Sequence, residues 1–246
     1  MNSELTLIGE DETLDKFFRG KVKIIQKKKG WRFSIDAPLL AYFIESDKDS
    51  ELLELGTGNG IVSILVASSK PFKRIVALEI QDSLISLAKR NIHLNSLDGK
   101  IEVVKGDIKS ITPFQKFDIV FSNPPYQKVR EGRISPYTER AIAKHEILCE
   151  LRDVLKAFSL TMKEDGRGYI IYRTARLKEF EESCERENLW IRRIRHVCSK
   201  KGEPSQLFLC ELRQKKGERK VEEPLIIYEE EKVYTKEMER ILSGEI

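Results

Sequence analysis

Glu51-Leu-Leu-Glu-Leu-Gly-Thr-Gly-Asn-Gly60, running directly into Ile61-Val-Ser-Ile-Leu-Val-Ala-Ser-Ser69, reads as a short buried strand, a glycine turn and a helix. Glycines at 56, 58 and 60 permit a tight strand-to-helix reversal and let a ligand approach bare backbone. The next apolar run, Arg74-Ile-Val-Ala-Leu78, ends in Glu79, nineteen residues after Gly60. An acidic side chain at a second strand end can accept from both hydroxyls of an adenosine ribose. The spacing is Gly-x-Gly-x-Gly, without the extra residue of the turns that cradle a pyrophosphate, which argues against a nicotinamide dinucleotide. A third strand, Lys100-Ile-Glu-Val-Val-Lys105, leads into Gly106-Asp107-Ile108.

A fourth strand-like run, Phe117-Asp-Ile-Val-Phe-Ser122, is closed by Asn123-Pro124-Pro125-Tyr126. Consecutive prolines fix φ and bias the residue before each toward extended geometry. The Asn123 side-chain oxygen and the Asn123 and Pro124 carbonyls can therefore be held as acceptors, and Tyr126 adds an aromatic face. Such a corner suits a planar NH2 group, and the N6 amine of an extruded adenine is a fitting occupant.

Elsewhere the chain alternates between strand and helix patterns. Residues 22–25 and 31–35 read as a strand pair joined by a Lys-rich turn ending in Gly30, after which Asp36 is expected to cap a helix with Pro38 in its first turn. Further helices are predicted over 82–95, 138–163 and 176–187, and a fifth strand over 167–172. Leu189–Val197 and Gln206–Leu212 read as two final strands around the turn Lys200-Lys-Gly-Glu-Pro204.

At 246 residues the chain can bury a full α/β core. The reading divides it into a basic extension with the strand pair (1–35), a catalytic domain (36–215) and a C-terminal extension packed on or beside it (216–246). No apolar run approaches membrane-spanning length and the start lacks a signal-peptide pattern, so a cytoplasmic protein is expected. Four cysteines, 149, 184, 198 and 210, form no Cys-x-x-Cys pair and have no histidine at metal spacing, which argues for reduced thiols and no metal. Charged residues make up 34% of the chain, suggesting the surface ion pairs of thermophiles.

The net charge of +4 conceals a local asymmetry. From Lys16 to Arg32 there are eight basic residues and no acidic one, and between Arg186 and Lys220 eleven basic residues face four acidic ones. Lys27, Lys28, Lys29, Arg32, Arg192, Arg195, Lys200 and Lys201 are the candidate contacts to a phosphate backbone.

From Leu14 to the C-terminus the chain resembles the small-domain methyltransferases that modify N6 of adenine 37 in the anticodon loop of tRNA1(Val). The resemblance rests on Phe33-Ser-Ile-Asp36, Gly56-Thr-Gly-Asn-Gly60, Asn123-Pro-Pro-Tyr126, Arg140-Ala-Ile-Ala-Lys-His-Glu146, Leu225-Ile-Ile-Tyr228 and Tyr234-Thr-Lys-Glu237. It implies a class I, Rossmann-like α/β fold: a seven-stranded, mostly parallel sheet ending in an antiparallel hairpin. It also implies S-adenosylmethionine as cofactor and tRNA as partner, and a monomer is expected. The cofactor residues it implies are Asp36, Glu54, Gly56, Thr57, Gly58, Asn59, Gly60, Glu79, Ile80, Asp107, Ile108 and Asn123, with Asp107 toward the adenine amine. Asn123, Pro124, Pro125 and Tyr126 would hold and stack the target base. His145 reads as a packing or helix-surface histidine. A protein glutamine-N5 methyltransferase uses the same Asn-Pro-Pro-Tyr corner but needs an N-terminal helical domain larger than the 50 residues before the glycine turn can hold. A DNA adenine methyltransferase would need an inserted recognition domain, and cytosine C5 chemistry a cysteine at the corner. A non-catalytic RNA-binding relative of the fold is the alternative from another class.

Overall fold

The computed structural model describes residues 8–29, 34–112, 115–124 and 149–245. Its centre is an eight-stranded sheet. In chain order the strands are β3 (Glu51–Leu55), β4 (Arg74–Glu79), β5 (Ile101–Lys105), β6 (Phe117–Ser122), β7 (Met162–Arg173), β8 (Trp190–Cys198), β9 (Leu207–Arg213) and β10 (Lys220–Ile226). Their spatial order is β10-β8-β9-β7-β6-β3-β4-β5. Strands β7, β6, β3, β4 and β5 are mutually parallel, and β9 is antiparallel to both β7 and β8. The seven-stranded mixed sheet with its terminal hairpin is thus present. An eighth strand from the C-terminal segment lies parallel to β8.

Leucines in β3 alternate between two cores, Leu52 on one face and Leu53 and Leu55 on the other, as a parallel strand covered on both sides requires. One face carries α1 (Asp36–Phe43) and α2 (Ile61–Ser69); the other carries α4 (Leu151–Thr161) and α5 (Leu177–Arg186). Helix α3 (Asp82–Leu94) turns Leu84 and Leu87 onto Ile25.

Three local expectations are corrected. The strand paired with β2 (Val22–Lys27) lies upstream, β1 (Glu12–Phe17), in the register Leu14↔Ile25 and Phe17↔Val22. Phe18, Arg19 and Gly20 make the reversal, all at positive φ, while Ser34 and Ile35 are not in a strand and 31–33 lie outside the described residues. Asp36 does not cap α1 but is its first residue: the chain is already right-handed helical at Ile35, so an extended N-cap geometry is lost. The helix predicted to 163 ends at Thr161, where the chain turns into β7, which begins five residues before the expected start; the part before 149 lies outside the described residues.

Both ends of the chain share the main core. Phe18, Val22 and Ile24 from the N-terminal hairpin, Leu225 from β10, and Met238 and Ile241 from α6 (Lys236–Ser243) belong to the same apolar cluster as α1 and α2. Between β10 and α6 the short strands β11 (Tyr228–Glu230) and β12 (Val233–Tyr234) pair, stacking Tyr228 on Tyr234. Arg195 of β8 makes a two-pronged ion pair to Glu237 at 2.7 and 2.9 Å, locking α6 to the sheet. Gly244 packs on Phe18, where a Cβ would meet the ring at 2.6 Å.

Candidate active site

The ends of β6, β3, β4 and β5 lie side by side, and the four segments singled out in sequence follow them directly. The glycine turn leaves β3 with Gly56, Gly58 and Gly60 all at positive φ (74°, 61° and 86°), a backbone that any side chain would strain. Gly56 and Thr57 donate backbone N–H groups to the Leu78 carbonyl at 3.0 and 2.9 Å, which draws the turn over the end of β4.

Glu79, 6% exposed, is bound from three sides. One carboxylate oxygen accepts from the Gly58 N–H at 2.9 Å, and the other from Ile80 and Gln81 at 2.9 and 3.0 Å. Burial raises its pKa, while these N–H groups pull in the opposite direction. Beside it lies a narrow slot walled by Leu78, Ile80 and Ile108, with Gly56 and Gly106 as bare backbone and Asp107 at its rim. A Cβ on Gly56 would come into contact with Ile108 at 3.8 Å, and one on Gly106 would strike Leu78 at 2.6 Å. The slot thus offers two apolar walls, Ile80 and Ile108, with the carboxylate acceptors of Glu79 and Asp107 beside them. Asp107 accepts from the Lys109 N–H at 2.9 Å, which fixes the carboxylate at the slot.

Glu54 has a different role from an open ligand. It is 1% exposed, and one of its oxygens accepts from the hydroxyls of Thr57, at 2.6 Å, and Ser63. The carboxyl therefore clasps the turn to the first turn of α2. Desolvation pushes its pKa up to about 7, partly offset by those hydroxyls. Because the folded pKa lies above the usual 4.5, the associated stability is fully present below about pH 4.5 and is lost as pH rises through about 7. The expected result is that wild-type Tm falls from pH 5 to pH 8 and Glu54→Gln flattens that fall, by on the order of 2 to 3 kcal/mol at pH 8. Thermal melts across that range check it, and an equal slope in both proteins refutes the assignment.

Asn59 is fully buried; its side-chain oxygen accepts from the Ile61 N–H at 3.3 Å and its carbonyl from the Asn91 side chain at 2.9 Å. Asn91 was not singled out in sequence, yet it ties two parts of the site together. Its amide also pairs with both backbone groups of Ile25 in β2, at 2.7 and 3.1 Å, and Asn95 does the same for Lys23 at 2.9 and 2.7 Å. The N-terminal hairpin is thus bonded to the glycine turn through a buried amide. An asparagine in the last turn of an otherwise amphipathic helix and a second four residues on, at its C-terminal cap, were the signal available.

Asn123 and Pro124 follow β6, next to the glycine turn, and the Ser122 hydroxyl donates to the Leu55 carbonyl at 2.8 Å, joining the two strand ends. Pro125, Tyr126, Arg32 and the run containing His145 lie outside the described residues. Asp36, buried at the start of α1, lines a larger cleft on the far side of β6 rather than the slot.

The candidate phosphate contacts divide by their surroundings. Lys27 is paired with Asp11 and Glu12 at 3.0 and 3.2 Å, and Lys28 donates to the Glu10 carbonyl at 2.8 Å. Glu12 itself is buried under Arg90, with two contacts of 2.7 Å that lower its pKa to about 2. Arg192 donates to the Glu218 carbonyl and Arg195 to Glu223 and Glu237, so both serve the C-terminal segment. Lys200 and Lys201 stand on the β8–β9 turn. The acids of residues 10–12, close in space but outside the basic run, are what its charge count missed. Among the described residues no group of side chains is placed to hold a metal ion, and no helix is long and apolar enough to cross a membrane.

Residues 32–155, half of the chain, match the family described as methyltransferase small domain. A Bacteroides thetaiotaomicron protein named tRNA1(Val) (adenine(37)-N6)-methyltransferase is 29% identical over 176 residues, 71% of this chain and 73% of that one. A protein of the same name from a Flavobacteriaceae bacterium is 26% identical over 190 residues, 77% of this chain and 80% of the relative. Among solved structures, a predicted O-methyltransferase from Agrobacterium tumefaciens superposes with a TM-score of 0.67 at 20% identity, covering 85% of this chain and 96% of that one. The M. jannaschii tRNA m1G37 methyltransferase superposes with a TM-score of 0.59 at 18% identity, covering 84% of this chain and 58% of that one. The superpositions speak for the fold.

Proposed function

The chain belongs to the methyltransferase small-domain family, and from that premise we propose that it transfers the methyl group of S-adenosylmethionine to N6 of an adenine in tRNA, adenine 37 of tRNA1(Val). The observation that carries the reading is Asn123-Pro124 at the end of β6, beside the glycine turn and on the same sheet rim as the slot lined by Glu79, Ile80 and Ile108. The names of the curated relatives support the same substrate.

S-adenosylmethionine supplies an electrophilic methyl on a sulfonium. The chain's own residues position it: Glu79 for the ribose, Ile80 and Ile108 for the ring faces, Asp107 for the adenine edge. Adenine N6 is a poor nucleophile because its lone pair is delocalised into the ring. The Asn123 side-chain oxygen and the Pro124 carbonyl accept from its two N–H groups and bias the nitrogen toward tetrahedral geometry, with the lone pair aimed at the methyl. The proton becomes acidic only as the new bond forms, so no pre-formed base is needed. Mass spectrometry of tRNA from a deletion strain, with the methyl restored by the purified enzyme on a tRNA transcript, tests the reading; a full complement of N6-methyladenosine in the deletion strain would end it.

Lys200 and Lys201, on the β8–β9 turn, meet the phosphate backbone in this reading, whereas Lys27 belongs to the hairpin's internal ion pairs. Replacing Lys200 and Lys201 together with alanine is expected to weaken tRNA binding and to flatten the slope of log K against log salt by about 1.5. Affinity for S-adenosylmethionine should not move. Filter binding at several salt concentrations measures the first, calorimetry the second, and an unchanged slope removes these lysines from the interface.

A further inference from the structure

A cleft of about 610 Å3 opens at the same rim of the sheet, on the other side of β6 from the nucleoside slot. Its walls come from the start of α1, the end of β7 and the β8–β9 turn: Asp36, Arg173, Ser199 and Gln206 supply polar groups, and Val197 and Ile227 an apolar floor. Its position relative to Asn123 follows from the register. Ser122 stands opposite Ile170, so Asn123 is level with Ile171 and Arg173 lies two residues nearer the rim on the neighbouring strand. With strands about 4.8 Å apart and about 3.3 Å per residue, the two α-carbons are roughly 8 Å apart. Slot, Asn123 and cleft therefore succeed one another along a single edge.

We propose that this cleft holds the nucleotide adjoining the target adenine, its phosphate on Arg173 and its base on the apolar floor with an edge toward Gln206 and Ser199. The inference rests on the tRNA reading above. The Arg173 guanidinium, the neutral groups of Ser199 and Gln206 and the apolar floor match what a single-stranded nucleotide presents: a charged phosphate, polar base edges and a stacking face. The Asp36 carboxylate on the α1 wall can accept from a base amine and keeps the phosphate to the Arg173 side. The volume lies in the range of small-ligand sites. The outer wall is rigid. The Gln206 backbone is fixed by its N–H to the Val197 carbonyl at 3.0 Å and by the Thr174 N–H to its own carbonyl at 3.0 Å. Ser205 joins His196 to Thr174 through contacts of 3.1 Å each. The exposed Gln206 side chain is thus presented from a held backbone, and Lys200 and Lys201 rise from the same turn, where a departing phosphate chain would run.

The test uses full-length tRNA ligated to carry an abasic residue on one or the other side of the target adenine, with wild type, Arg173→Ala and Gln206→Ala. An abasic residue on one side only should lower wild-type kcat/KM about tenfold, and each variant should lose a comparable factor on intact tRNA. For Gln206→Ala the abasic residue should cost little more, because the two changes remove the same contact. S-adenosylmethionine affinity within about twofold of wild type would show that both variants remain folded. If both variants keep wild-type kcat/KM and wild-type sensitivity to the abasic residue, the cleft's assignment is overturned while tRNA methylation stands. If the wild type methylates a glutamine peptide and no tRNA, the substrate reading falls and this inference with it.

Discussion

Asn123→Ala is expected to lower kcat by about 10²- to 10³-fold while leaving S-adenosylmethionine affinity within about twofold of wild type. The side-chain oxygen acts on the amine chiefly as its nitrogen changes geometry, so the loss should appear in the chemical step and not in cofactor binding. Structure strengthens the separation of effects. Asn123 follows Ser122, whose hydroxyl is already committed to the Leu55 carbonyl, so the strand end keeps its anchor to the glycine turn when the asparagine is shortened. Single-turnover methylation of tRNA together with calorimetry on the same protein makes the measurement. Turnover close to wild type would sink the mechanism; a parallel loss of cofactor affinity would reassign Asn123 to the donor's side of the site.

Glu79→Ala should weaken S-adenosylmethionine binding by roughly 1.5 to 3 kcal/mol, about 10- to 150-fold. Two losses combine. The ribose hydroxyls lose their acceptor, and the backbone N–H groups of Gly58, Ile80 and Gln81 lose the carboxylate that now receives them. Glu79→Gln separates these from a simple loss of bulk: an amide keeps the volume, but its NH2 end would face N–H donors, so it should not restore affinity. Unchanged affinity in Glu79→Ala, measured by calorimetry, removes the residue from the ribose site.

Much of the site could be read along the chain because its parts are local. Strand, glycine turn and helix at 51–69 follow from an apolar run, three positions that need positive φ, and a second apolar run, and α2 appears at the expected residues, Ile61–Ser69. Glu79 and Asp107 each end an apolar run, and a parallel sheet carries such ends to one rim. The antiparallel pair β8 and β9 is announced by its turn. The hairpin's partner could not be read in this way. Residues 22–27 carry a strand pattern, but which segment completes the hairpin depends on Phe18, Arg19 and Gly20 reversing the chain, and on Leu14 facing Ile25.

The sequence by itself determined the fold class, the order of elements in the catalytic core and the residue types offered at each strand end, since hydrophobic period and turn chemistry act over a few neighbours. Tertiary structure alone decided how those residues are used. Glu54 is turned inward, where its buried carboxylate accepts from the Thr57 and Ser63 hydroxyls and so keeps both polar groups paired. Asn91 bonds the N-terminal hairpin to the glycine turn across 66 and 32 residues of chain. Arg195 is spent on Glu237 and Lys27 on Asp11 and Glu12, while Lys200 and Lys201 remain at a turn. A charge's partner is chosen by distance in space, and Coulomb energy falls with that distance whatever the separation along the chain.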